Sequence, residues 1–353
     1  MLMKKLCLVL GMLLAHAGAH AAPKYIEAPP LAKAVTTPVG EVRGKRLRLP
    51  MITWGGDIAT ILANGGTKKT QSGSLFDKAG ISAELVREDA FVRQLERYIA
   101  GESPFLRGTV GMLNLASDVL AKDARIKPVV IYQLTWSAGG DALVVKPGIR
   151  TAADLRGKTI AVQAYGPHVD YLAKILSDAG LKTSDVKLRW LPDLTGTDNA
   201  PMAAFYESDI DAAFTIIPDA LALTSGGNTG TGAEDSVKGA RILLSTKTAN
   251  RIISDVYAVR SDYFNANRAK VQSFVGALMQ AERELATLVK NRSQRSADYQ
   301  KIMSQAAALL LDSAQAVSDA EGLYADCEFV GLRGNTQFFT DQNYPRGLGK
   351  LNA

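Results

Sequence analysis

The chain has 353 residues, 41 Lys and Arg against 35 Asp and Glu, and a formal charge of +6. That excess is mild for the length. The one dense basic run, "RGKRLR" from Arg43 to Arg48, reads as a solvated lead-in to a strand, so nucleic-acid binding is not expected.

At the start, Lys4 and Lys5 precede an apolar run from Leu6 to Leu14 and small residues ending Ala19-His20-Ala21. This is the order of a secretory signal peptide, with cleavage expected after Ala21. The run is too short to span a membrane, and stable membrane insertion is not expected. Removing residues 1–21 deletes two lysines and no acid, which takes the formal charge from +6 to +4. It also leaves Cys327 as the remaining cysteine, so no internal disulfide is expected and the core must hold the fold. Pro23, Pro29 and Pro30 mark residues 22–46 as an extended, mobile lead-in.

Strand-like and helical runs then alternate, which argues for an α/β fold with largely parallel sheets. A strand at 47–54 leads into Gly55-Gly56-Asp57 and a helix. "SAELVRED" reads as a strand, "DAFVRQLERYIAG" as a helix and "GTVGMLNLAS" as a third strand, followed by strands in "KPVVIYQLTW" and "GDALVVKPG". After Lys146-Pro147-Gly148 the series restarts with "DLRGKTIAVQA", a helix from His168 to Ala179 closed by Gly180, the strand "DVKLRWLPD", the helix "NAPMAAFYES" and the strand "IDAAFTII". Residues 224–239 are glycine-rich and read as a loop. Two more strands, "ARILLST" and "SDVYAVRSDYF", precede helices at 268–290, 297–311 and 313–324.

Two strand–helix series in tandem with a helical tail suggest two doubly wound lobes joined by two crossovers, near Pro147 and near Val256. The expected boundaries are 47–147 plus 258–353 for the first lobe and 148–257 for the second. Open sheets bind ligands beyond the carboxyl ends of their strands, here in a cleft that hinge motion could close.

That rule selects the candidate binding residues. Two helix starts offer backbone N–H groups to a ligand: Gly55-Gly56-Asp57 and Tyr165-Gly166-Pro167-His168. Trp54, Trp136 and Tyr165 could stack on a ring or cover an amine, with core packing as the alternative. Asn114, Ser117 and Ser137 are further strand-end candidates in the first lobe, and Thr195, Asp198, Thr215 and Asp219 in the second. For both aspartates helix capping competes with ligand contact. Acids outnumber bases in these loops, which leans toward a neutral or amine-bearing ligand with a ring.

The second series also resembles a known family. "DLRGKTIAV" (154–162), "AGL" at 179–181, Asp185-Val186 and "AAFYESDIDAAFTIIPDALAL" are similar to nitrate/sulfonate/taurine-type, NMT1/THI5-like periplasmic solute-binding proteins, and the similarity runs from about Leu47 to Leu288. Where the family has "SGxxD" in the first lobe, this chain has "AGESPFLRGTVGML". The resemblance implies a type II periplasmic-binding fold. It further implies a periplasmic monomer that delivers a small molecule to an ABC permease and its ATPase.

Chemistry is less well supplied. There is no G-x-S-x-G, and Ser184-Asp185-Val186-Lys187 matches S-x-x-K at a turn where capping explains it. Beyond residue 21 the chain has one His and one Cys, far apart, which make no typical zinc set, and Gly226, Gly227, Gly230 and Gly232 complete no phosphate or dinucleotide loop. No catalytic residue, metal or cofactor is therefore expected. The alternatives are an enzyme on this fold using His168 as acid or base, and a periplasmic cofactor carrier or sensor.

Overall fold

The computed structural model describes residues 22–248 and 251–351, so the expected signal peptide at 1–21 lies outside the described residues. Eleven strands are described, numbered in chain order: β1 Leu47–Met51, β2 Ala83–Arg87, β3 Phe105–Thr109, β4 Pro128–Ser137, β5 Asp141–Val145, β6 Thr159–Gln163, β7 Lys187–Leu191, β8 Ala212–Ile216, β9 Arg241–Ser245, β10 Ser254–Arg260 and β11 Cys327–Phe329. They form a β1-β2 pair, a sheet ordered β11-β4-β10-β3 and a sheet ordered β7-β6-β8-β5-β9. The pair packs beside β3, so strands β1–β4, β10 and β11 belong to the first lobe.

Strand pairing moves the first crossing from its expected place. β5 hydrogen-bonds β8 and β9, so the chain leaves the first lobe at 138–140 rather than near Pro147. β10 pairs with β3 and β4, so the chain is back in the first lobe by Ser254, just before the crossing expected near Val256. Apolar content cannot reveal this, because β4 and β5 are equally strand-like and only their partners differ. The sheets are also less parallel than expected. β1–β2, β6–β7 and β6–β8 are parallel, whereas β3–β10, β4–β10, β4–β11, β5–β8 and β5–β9 are antiparallel. Strands that carry the chain out of a lobe and back must run in opposite directions.

Each lobe sandwiches its sheet between two apolar layers. Along β10, Tyr257 and Val259 face helices Asp57–Ala63, Arg268–Lys290 and Ser296–Leu310, while Val256 and Ala258 face helices Phe91–Ile99 and Val110–Leu115. Along β5, Leu143 and Val145 face one layer and Ala142 and Val144 the other, the two-residue alternation of a strand. In helix His168–Asp178, Tyr171, Leu172, Ile175 and Leu176 form the buried stripe, and Gly180 turns the chain at φ 67° as expected.

"GTVGMLNLAS" differs from its expected strand. β3 stops at Thr109, whose hydroxyl accepts the Met112 N–H, and Val110–Leu115 is helical. A short run that is apolar throughout carries no periodicity to separate strand from helix.

The N-terminal segment is extended but anchored. Ile26 forms a bridge with Trp190 at the β7 edge of the second lobe, and Tyr25 donates to Glu207. Leu31 and Val35 are buried in the first lobe beside Leu95 and Val119. Residues 24–35 thus strap the two lobes together.

Candidate functional site

The carboxyl ends of β1, β3, β6 and β8 meet between the lobes. On the first-lobe side the polar groups are closed upon one another. Asp57, Arg107 and Asp255 are all buried, with Arg107 Nη2 3.0 Å from Asp57 and Nη1 2.8 Å from Asp255. Burial raises the Asp57 carboxyl and pushes Asp255 up to about 6, with Arg107 opposing in both cases. Trp54 is 5 % exposed and donates from Nε1 to Thr135 Oγ1 at 2.9 Å. Its ring lies against Gly140 of the first crossing segment, where a Cβ would come within 2.3 Å of the ring.

The two crossing segments are tied side by side. Ser137 Oγ and Thr246 Oγ1 are 2.7 Å apart, and Thr246 Oγ1 also accepts from the N–H groups of Gly139 and Asp141. One threonine hydroxyl thus joins the two crossing segments.

On the second-lobe side several polar groups are buried without completed bonds. His168 is fully buried at the first turn of its helix, with Nε2 2.6 Å from Asp141 Oδ1 and Nδ1 without a partner. Asp219 is 9 % exposed; Oδ1 accepts from Thr195 at 3.1 Å and Oδ2 accepts from nothing among the described residues. Burial pushes the Asp219 carboxyl up to about 6, against the Thr195 bond and the nearby His168. Gln163 Oε1 and Thr215 Oγ1 are likewise buried and unpartnered.

A cavity of about 360 Å³ opens beside these groups, within the size range of small-molecule sites. Thr53, Arg87, Asp89 and Leu310–Asp312, with Asp319 and Leu323, line it from the first lobe; Thr195–Thr197, Ile216, Pro218 and Asp219 line it from the second. Asp89 is held by the Thr53 N–H at 2.6 Å and hydroxyl at 2.8 Å, and Arg87 donates to Leu310 O and Asp312.

Of the residues expected from sequence, Thr195 and Asp219 line this cavity, and Thr215 lies at the end of the adjoining strand. Gly55 and Gly56 are packed against Leu323 and Thr135, so their backbone is covered by protein. Asp57 faces Arg107 inside the first lobe rather than the cavity. Trp136 is core, edge-on to Phe338, and Ser137 joins the crossing segments. Asn114 and Ser117 are exposed beyond the true strand end, with Asn114 donating to Leu351 O. Tyr165 stands at φ 58° and donates to Pro29 O at 2.5 Å, under the strap. Gly166 is crowded by the Gln163 side chain, and Asp198 is exposed in the loop beyond Thr197. Trp54 and Tyr165 therefore share no cavity lining.

Sequence reading missed Thr53, Arg87, Asp89, Gln163, Asp312 and Asp319. Asp89 and Gln163 had a signal, since each stands at or just beyond a strand end. Asp312 and Asp319 had none, because they reach the cleft only when the C-terminal helices fold back onto the first lobe.

Two lobes with interleaved chain crossings and a cavity between them define the periplasmic-binding-protein class of fold. The chain belongs to the family described as NMT1/THI5 like, whose profile matches residues 71–287. Among solved structures, it is similar to the alkanesulfonate-binding protein SsuA from Xanthomonas axonopodis pv. citri bound to MOPS. That match has 19 % identity and a TM-score of 0.56, over 81 % of this chain and 86 % of the other. The periplasmic aliphatic sulphonate binding protein SsuA from Escherichia coli matches at 20 % identity and TM-score 0.56, over 81 % of each chain. The periplasmic nitrate-binding protein NrtA from Synechocystis PCC 6803 matches at 13 % and 0.52, over 76 % of this chain and 66 % of that one. No curated protein sequence matches. No helix among the described residues is long and apolar enough to cross a membrane.

Proposed function

We propose that this protein is the periplasmic solute-binding component of an ABC importer, working as a monomer. On this reading it is exported by a signal peptide cut after Ala21, captures a small organic molecule between its lobes and hands it to a permease with its ATPase. The observation that carries the proposal is the cavity of about 360 Å³ whose walls come from both lobes, beside a hinge of two tied crossing segments. A solute touching both walls binds the closed arrangement better than the open one, and that difference is what shifts the equilibrium. Family membership and the similar solved structures support the class. The expected lean toward a ring-bearing ligand loses its support, since no aromatic side chain lines the cavity.

Mass spectrometry of small molecules released from gently purified protein tests the proposal. The released compounds are then returned to stripped protein and followed by calorimetry and solution scattering. Tight rebinding with a smaller radius of gyration is expected. A radius unchanged at saturation would remove lobe closure. An enzyme using His168 gains no support from the geometry, because that ring is fully buried against Asp141 and Phe214.

A further inference from the structure

Among the buried second-lobe atoms left without partners, Asp219 Oδ2 and Gln163 Oε1 are pure acceptors. β6 and β8 are parallel neighbours with Ala161 level with Ala213. Continuing that register two residues brings Gln163 level with Thr215, both on the face that Ala161 and Ala213 share. Asp219 follows on the next helix, Ile217–Leu223, whose Ala220 and Leu223 pack into the same apolar layer.

What these residues lack is donors. Asp219 Oδ2 is an ionisable acceptor with no bond. Gln163 donates from Nε2 to the carbonyls of Asp89 at 3.2 Å and Pro192 at 3.3 Å, which fixes its amide orientation and leaves Oε1 as an acceptor without a donor. A flipped amide would set oxygen against two carbonyls. Thr215 Oγ1 can serve either way. Buried acceptors are normally satisfied, so the unpartnered Asp219 Oδ2 on the cavity lining marks where a donor belongs.

Charge points the same way. The cavity is lined by one basic side chain, Arg87, and by the carboxylates Asp89, Asp219, Asp312 and Asp319. Arg87 is engaged already, with Nη2 on Asp312, Nη1 on Leu310 O and Nε 3.9 Å from Asp89. An anion entering here would meet carboxylates with no free cation to receive it. An ammonium, amidinium or guanidinium group would supply donors and neutralise Asp219 together.

We infer that the interlobe cavity selects a solute carrying a protonated nitrogen group, with Asp219 as its counter-ion and Thr195 beside it. This rests on the interlobe reading above and assigns a ligand class opposite in charge to a sulfonate or nitrate. Agmatine and putrescine, tested against taurine and ethanesulfonate at pH 7.5, separate the classes by thermal shift, calorimetry and scattering. At least one of the two amines is expected to raise Tm by several degrees, and neither sulfonate should. Asp219→Asn should weaken amine binding tenfold or more while leaving the unliganded protein folded. Thr195→Val provides a second, milder reading of the same contact. Sulfonate binding with compaction, unaffected by Asp219→Asn, overturns the cation assignment and leaves interlobe capture standing. Amine binding that depends on Asp219 without compaction keeps the assignment and removes closure. No stabilisation by either amine overturns the assignment, while the release experiment decides capture independently.

Discussion

The two lobes differ in how they hold the buried charge that lies near the cavity. In the first lobe, Asp57 and Asp255 flank Arg107, so the buried charges are paired within the protein even though Arg107 Nη2 completes no hydrogen bond. In the second, Asp219, Gln163, Thr215 and the Nδ1 of His168 remain incomplete. A strand end is therefore not a binding site by position alone. The cluster whose charges are paired inside the first lobe supports the fold, whereas Asp219 keeps an unpartnered oxygen on the cavity lining.

Breaking the first-lobe cluster should have the largest effect. Arg107→Leu strands two buried carboxylates and is expected to cost about 3–5 kcal/mol or prevent folding, measured by urea denaturation. Trp54→Ala comes next, at about 3 kcal/mol, from a cavity against Gly140 and a Thr135 hydroxyl left without its donor. Both changes should act on stability first. If Trp54→Ala kept full stability and lost only ligand affinity, the contrast between the lobes would fail.

The second lobe should respond to pH. Folding raises the Asp219 carboxyl from 3.8 to about 6, so the folded state holds its proton more tightly than the unfolded state. Its contribution is complete below pH 4 and is lost as pH rises through 6, an effect of about 3 kcal/mol. Thr195, His168 and Tyr206 face this carboxyl from its own lobe, and Arg87, Asp89, Asp312 and Asp319 border the cavity opposite. Asp219→Asn should flatten this part of the stability–pH curve. Amine affinity should run the other way, strengthening as pH rises through 6 and the carboxylate forms. Parallel slopes for stability and binding would contradict the assignment.

The smallest effect concerns the strap. Ile26→Pro removes the N–H that donates to Trp190 O at 3.0 Å and should cost about 1 kcal/mol or less. Because residues 24–26 hold one lobe and 31–35 the other, it should also shift unliganded protein toward a larger radius of gyration. An unchanged radius would mean that the strap follows the lobes rather than restraining them.

Much of the second lobe was legible because its signals are local. A strand, a small-residue turn and a helix closed by Gly180 can be read from adjacent residues, as can the strand-end positions of Thr195 and Asp219, which line the cavity. The aromatics misled because Trp54, Trp136 and Tyr165 look alike in sequence. Only packing shows one against Gly140, one against Phe338 and one under Pro29.

The sequence by itself determined the strand–helix alternation, the two-lobed class and the excess of acids over bases in the strand-end loops. These follow from periodicity and composition, which each segment carries without its neighbours. The tertiary structure decided where the chain crosses, which carboxylates are paired and which atoms stay without partners. Those properties depend on contacts between residues far apart in the chain, such as Gly55 packed on Leu323 and Arg107 bonded to Asp255, and burial acts on a group only once its surroundings exist.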